Sequence, residues 1–265
     1  HYLGALYSGG DFSGIEEALI AEINERNAHR EFILDWLVRL RCLEGLGIYR
    51  KKFENVLSDY QKSLIDMIDE EVHWPMEGVV LNLDRDKHRF DLMSRMWSSL
   101  INLSRLPGIN GAGLPDLVIE KTCTATPALG SGAVGCAFGH LKAIELVAQS
   151  KNGRLAIFED DAAPYFPMTN QIAKKSAEYD LVFVNDRNCH GFRDRNEDQK
   201  LLAPTKNLLR GGCYGYIVST KAAEKILLHV KEHGITRHID GLIIDLAVKG
   251  EFSAATTSYP LVQHF

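Results

Sequence analysis

Apolar positions along this chain follow two different periods. Up to about residue 75 they recur every three or four residues. Ile33, Trp36, Leu37, Leu40 and Leu43 form one such stripe, and Phe53, Val56, Leu57, Tyr60, Leu64 and Met67 form another. That spacing predicts helices packed by their apolar faces. A weaker stripe predicts a helix over about Ile15 to Asn27, and Gly45-Leu46-Gly47 reads as the break between the last two.

From about Met76 short apolar runs alternate with helical patterns. Gly78 to Leu83, Leu155 to Phe158, Leu181 to Val184 and Tyr214 to Val218 read as strands, and Val118-Ile119 as a short one. Asp84 or Asp86 is placed to cap a helix that buries Phe90, Met93, Trp97 and Leu100. Gly139-His140-Leu141 is read as the opening of a second helix, and Ser219 as the cap of a third. The expectation is a helical region over residues 1–75, followed over 76–265 by an α/β domain with a largely parallel sheet flanked by helices. Such sheets bind ligands at the carboxyl ends of their strands. Asn82-Leu83-Asp84-Arg85 and Glu159-Asp160-Asp161 both fall at such ends.

Composition narrows the function. The 265 residues are 45% hydrophobic and 25% charged, as in ordinary globular proteins. A net charge of −5 gives no general basic field for nucleic acid. Charge is uneven: residues 1–72 hold 8 Lys+Arg against 14 Asp+Glu, and the rest 22 against 21. The helical region reads as a packing or self-association module, or as an acidic face for a protein partner. No run approaches the roughly 20 apolar residues of a membrane helix. The first residues resemble neither a signal peptide nor a natural start, so the sequence is read as beginning inside a longer protein. The five scattered cysteines form no C-x-x-C pair, which argues against a zinc site and fits a reducing cytoplasm.

Phe158-Glu159-Asp160-Asp161 carries the strongest chemical signal. A buried strand that ends in three acids is costly unless positive charge meets it. A hard divalent cation, Mg²⁺ or Mn²⁺, that also holds phosphate oxygens is one solution; solvated acids on a surface turn are the other. Strand alternation puts Glu159 and Asp161 on one face, so the metal is expected at Asp161 with Glu159. Arg85 and Arg89 sit where they can meet phosphate. His140 is read either as structural or as a contact to substrate, and Asp240 as an N-cap or a general base. His264 is a further candidate metal ligand. Gly130 to Gly135 matches GxGxxG, and Glu159 lies 24 residues beyond it. An NAD(P)-binding oxidoreductase is therefore carried as an alternative, although Pro127 spoils the strand such a motif should follow. Residues 187–210 are polar and aperiodic, a candidate substrate-facing loop. There is no G-x-S-x-G elbow and no Walker motif.

Taken in order, these blocks resemble glycosyltransferase family 25, which includes bacterial lipooligosaccharide glycosyltransferases and collagen galactosyltransferases. Val80 to Arg85 with Arg89 looks like the family's opening I-N-L-D-R block. Gly135 to Ala143 resembles its G-C-x-x-S-H-L-x-A block, with Gly139 in place of the usual serine. Phe158 to Ala162 looks like its E-D-D block, Gly211 to Ser219 its G-x-x-x-Y-l-i-S block, and Pro260 to Gln263 its late P-x-x-x-Q segment. The match covers residues 77–265. The resemblance implies a GT-A-type fold and inverting, metal-dependent sugar transfer. The donor would be a nucleotide-diphosphosugar, a UDP-sugar first, and the acceptor a glycan or glycolipid of lipopolysaccharide, capsule or protein. It implies donor binding by Asn82, Asp84, Arg85, His140, Glu159 and Asp160, metal at Asp161 and Glu159, and catalysis by Asp240. The setting would be cytoplasmic, peripheral to the inner membrane face. A degenerate transferase fold serving as a scaffold is the remaining alternative.

Overall fold

The computed structural model describes residues 12–24, 30–125, 128–189, 200–205 and 211–264. Its centre is a seven-stranded sheet: β1 (Glu77–Asn82), β2 (Leu103–Pro107), β3 (Arg154–Glu159), β5 (Leu181–Phe183), β6 (Leu201–Leu202), β7 (Gly215–Ser219) and β8 (Ala254–Thr257). The strand order is β2-β1-β3-β7-β5-β8-β6. β1 lies parallel to β2 and β3, and β5 parallel to β8, whereas β7 and β6 run the other way. The expected α/β layering is present, with antiparallel strands mixed in. A separate pair joins β4 (Ala162–Pro164) to β9 (Val262–His264).

Strand alternation supplies two cores. Val80, Ala156, Phe158, Val182 and Ile217 face one layer, and Val79, Leu155, Ile157, Leu181 and Val218 the other. The second layer is built by α7 (Ser131–Gln149), α9 (Thr220–His233) and α10 (Ile239–Lys249). The first contains α5 (Lys87–Trp97), and also buries α1 (Phe12–Asn24), α2 (Arg30–Arg39), α3 (Leu43–Phe53) and α4 (Asp59–Asp69). The helical region thus shares one apolar cluster with a face of the sheet. Trp74 bridges them, packing edge-on to Trp97 at 5.3 Å and against Phe158 at 5.8 Å.

Helix boundaries differ from the sequence expectation in four places. Gly45-Leu46-Gly47 lies inside α3; a Cβ on Gly45 would approach Leu37 Cδ2 to 2.5 Å, so this glycine marks helix contact rather than a break. The break before α3 falls at Arg41, which has φ of 51°. Its guanidinium, nearly buried, pairs with Glu71 at 2.7 Å and donates to the Tyr165 carbonyl at 3.0 Å, which holds the unusual backbone. The stripe from Phe53 to Met67 is cut at Ser58, whose capping box with Gln61 starts α4. Val118-Ile119 belongs to α6 (Asp116–Thr122), not to a strand, because Pro115 and Asp116 form a helix start. α7 begins at Ser131, so His140 sits within a helix and not at its opening. Asp86 precedes α5 without a side-chain cap bond, and Asp84 is engaged elsewhere.

Candidate active site

The carboxyl ends of β1 and β3 are neighbours in a parallel pair, so Asn82 and the three acids after Phe158 meet at one edge. β5 ends at the same edge with Asn185 and Asp186. Antiparallel β7 starts there, and Tyr214 O accepts from Glu159 N at 3.1 Å. One strand-end crevice therefore gathers four segments far apart in sequence.

Each acid has its own partner. Glu159 Oε1 lies 3.3 Å from His140 Nε2, and His140 Nδ1 lies 3.0 Å from the Tyr216 hydroxyl. His140 is fully buried. Burial alone would lower its pKa, but bonds to Cys136 and Glu159 outweigh it and push the pKa up to about 10. Burial works to raise the Glu159 carboxyl, and His140 reverses this and holds it below the usual range. Asp160 accepts from Asn82 Nδ2 at 2.7 Å and pairs with Arg89 at 3.0 Å. Asp161 Oδ2 meets Arg89 at 3.3 Å and His264 Nε2 at 3.1 Å. Burial raises both aspartate carboxyls; Asp161 is raised further by the Glu159 charge.

Strict alternation of the three acids fails here. The strand stops at Glu159, and in the turn that follows Asp160 and Asp161 share Arg89. Much of the cost of burying the acids is met by Arg89, His140 and His264. One oxygen is the exception: Asp161 Oδ1 is buried with no hydrogen-bond partner among the described residues. Asp186 Oδ1 and the Tyr214 hydroxyl are likewise without one, and the Tyr214 ring packs edge-on against His264 at 5.4 Å. Burial raises the Asp186 carboxyl, against the pull of its own backbone N–H and of the Arg187 and His264 charges.

The predicted donor residues divide into two groups. Asn82 is 1% exposed and every side-chain bond it makes is internal. Its Nδ2 donates to Asp160 and to the Asp86 carbonyl, and its Oδ1 accepts from Arg105 Nε at 2.7 Å. Asn82 therefore positions its neighbours. Asp84 binds Arg105 at 2.6 Å, which holds its carboxyl below the usual range. Arg85 is exposed and reaches Asp86 at 3.3 Å. Arg85, Arg89, Asp160, Glu159 and His140 line a cleft of about 280 Å³ between β1, α5 and α7. A larger groove of 790 Å³ between α2 and α4 holds Phe32, Val38 and Val56 but no histidine or cysteine, so the chemistry lies in the smaller space.

Asp240 stands in the first turn of α10. Its Oδ2 accepts from Gly212 N at 2.7 Å and its Oδ1 from Gly241 N at 2.8 Å. The other side of the 211–212 turn is held by Asn185 and Asn188, whose amides each donate to the Gly212 carbonyl at 2.9 Å. Gly211 and Gly212 have φ near 90°, and a Cβ on Gly211 would stand 2.9 Å from Asp240 Oδ2. Asp240 is thus tied to the turn that leads into β7, where the Tyr214 carbonyl accepts from Glu159 N. Most of the polar stretch read as a substrate loop lies outside the described residues, at 190–199 and 206–210.

The GxGxxG segment has a packing role. No sheet strand leads directly into it among the described residues; the helix α6 comes before it and Cys123 makes only an isolated bridge to Ile235. A Cβ on Gly135 would come within 2.4 Å of the Ile109 carbonyl, and one on Gly111 within 1.7 Å of the Ser131 carbonyl. These two glycines let the loop after β2 lie directly on α7. The strand-turn-helix context a dinucleotide site requires is not formed among the described residues.

Sequence reasoning did not find Arg105 or Asn185, and it gave Tyr216 and Cys136 no role beyond their places in the blocks of the resemblance. Asn185 carried a signal of its own, as a polar residue ending the apolar run Leu181 to Val184. No protein-family model and no curated protein matches the chain.

Proposed function

We propose that the protein is a glycosyltransferase that moves a sugar from a nucleotide-diphosphosugar, a UDP-sugar first, to a hydroxyl of a glycan or glycolipid acceptor, with inversion and with Mn²⁺ or Mg²⁺. The observation that carries this reading is the buried Asp161 Oδ1, without a hydrogen-bond partner among the described residues, in a carboxylate whose other oxygen meets His264 at 3.1 Å and Arg89 at 3.3 Å. A cation site fits such an oxygen. Carboxylates with one imidazole suit Mn²⁺, which accepts oxygen and nitrogen together, better than Mg²⁺. Asp161 and His264 would hold the ion, with Glu159 secondary because His140 already engages it. When bound, the cation neutralises charge on a departing nucleoside diphosphate.

The chain's own residues supply the rest. Arg89, between Asp160 and Asp161 and on the cleft wall, is placed to move from carboxylate to phosphate when a donor enters. Arg105 holds Asn82, and Asn82 in turn fixes Asp160 on the cleft wall. Asp240 is the candidate base. Its two backbone N–H bonds orient the carboxylate and leave a lone pair on each oxygen for an acceptor hydroxyl. Inversion needs one in-line attack and no protein nucleophile.

The described residues include no helix long and apolar enough to cross a membrane. The proposed setting is the cytoplasm, at the membrane face that carries acceptor, and the helical region is the proposed contact for a protein partner or a second copy.

A thermal-shift panel of nucleoside diphosphosugars with and without Mn²⁺ tests the reading. A donor present at a hundred times its Kd stabilises by about 2.7 kcal/mol. One donor class is expected to raise Tm with metal present. A shift with NADH and none with any sugar donor would overturn the proposal.

A further inference from the structure

A second donor set of softer character lies on the cleft wall formed by α7 and the end of β3. Cys136 Sγ, a ring nitrogen of His140 and a carboxylate oxygen of Glu159 all lie within 4.8 Å of one another. Cys136 and His140 are four residues apart on α7, so the helix presents both on one face. Glu159 closes the set from the end of β3. A tetrahedral ion with bonds of about 2.0 to 2.3 Å spaces its ligand atoms by about 3.3 to 3.7 Å. His140 Nε2 and Glu159 Oε1 already stand 3.3 Å apart. Cys136 is exposed, and its sulfur already lies within 4.8 Å of both.

The surroundings also match. Metal-bound histidines use the far ring nitrogen for a hydrogen bond that fixes the ring. Here Nδ1 has the Tyr216 hydroxyl at 3.0 Å, with the two rings stacked. In front, the cleft reaches Cys136, His140 and Glu159 together, leaving a route in and room for a fourth ligand.

We propose that Cys136, His140 and Glu159 form a zinc-binding site whose fourth position opens to the cleft. Thiolate and imidazole select Zn²⁺ over Mg²⁺ and Mn²⁺, and so separate this site from the oxygen-rich one at Asp161. Binding displaces the thiol proton and the Nε2 proton to solvent. Zinc binding stands on the geometry alone. Its consequence rests on the proposed transferase function: zinc occupies the Glu159 carboxylate and narrows the donor cleft, so it inhibits transfer.

The test is a zinc titration of the intact, reduced, metal-free chain against a chromophoric chelator, without any sugar donor. One zinc ion per chain is expected. Cys136→Ser should weaken it by about a hundredfold or more, the upper range for lost metal-site interactions, while Asp161→Asn leaves it unchanged. Cobalt in the unmodified chain should give a thiolate charge-transfer band that the serine variant lacks, a reading that does not depend on how any variant folds. Equal zinc affinity in Cys136→Ser, or a cobalt complex without the thiolate band, would overturn the site. Inhibition is scored separately, as zinc sensitivity of Mn²⁺-dependent transfer lost in Cys136→Ser. Lack of transfer with every donor bears on the transferase reading and leaves the zinc titration standing.

Discussion

Asn82 and Asp160 are joined by a 2.7 Å hydrogen bond that ties the end of β1 to the turn after β3, across 78 residues of sequence. The same amide also binds the Asp86 carbonyl and Arg105, so one buried side chain sets the shape of the crevice. Asn82→Ala removes these bonds and leaves a carboxylate and a guanidinium short of partners. The expected loss is about 2 to 3 kcal/mol, or a Tm lower by about 5 to 10 °C. Thermal unfolding followed by circular dichroism measures it. A variant as stable as the parent would show that Asn82 is not the clamp described.

Asp161 is held at a cost, with burial and the Glu159 charge both raising its carboxyl. Asp161→Asn removes that charge while nearly keeping the shape, and Arg89 retains Asp160. The metal-free variant should be at least as stable as the parent, yet lose the Tm increase given by Mn²⁺ and about a hundredfold or more of any transfer activity. His264→Ala should reduce the metal response in the same direction. A lower Tm in Asp161→Asn together with an intact metal response would reverse the assignment of this residue.

Gly135 and Gly132 separate packing from phosphate binding. At Gly135 a Cβ would meet backbone atoms of Ile109 and Gly111 at 2.4 and 2.5 Å, whereas at Gly132 it would meet nothing within 4 Å. Gly135→Ala should therefore destabilise by about 2 kcal/mol, as overpacking does. Gly132→Ala, early in α7, should be neutral or gain up to about 1 kcal/mol from helix propensity. Urea unfolding of the two variants decides it. A dinucleotide site would instead make both glycines sensitive in a cofactor-binding assay.

The strands of the site were legible because buried strands are continuous apolar runs that stop at a polar residue, as at Asn82 and Glu159. α7 was not legible as one helix. Gly130, Gly132, Gly135 and Gly139 look like turn residues, and only the approach of Gly111 explains why a helix tolerates Gly135. The Tyr216 partner of His140 lies 76 residues away, beyond the reach of any local pattern. Arg105 lies in the middle of a strand whose burial is weak, so nothing in sequence set it apart from a surface arginine. The acids themselves were readable as a cluster. Their separate countercharges were not, because Arg89, His140 and His264 come from three distant elements.

Asp180 gives the acid limit of stability, away from the site. Its side chain, 15% exposed, accepts from Ser253 N at 2.9 Å and Ser253 Oγ at 2.8 Å, and pairs with Lys221 at 2.9 Å. Burial alone would raise its carboxyl, but Lys221 and Ser253 outweigh it and hold the pKa below the ordinary 3.8. A carboxyl lowered on folding stabilises the fold above its unfolded pKa and loses that contribution as pH falls through the folded value. Asp180→Asn should thus cost about 1 to 3 kcal/mol at pH 7. The gap from the parent should narrow as pH drops below about 4. Because Asp180 links the start of β5 to the segment before β8 and to α9, its loss should speed unfolding of that side of the sheet. Urea unfolding from pH 7 to pH 3 measures both curves, and a gap that widens toward low pH would contradict the sign derived from these contacts.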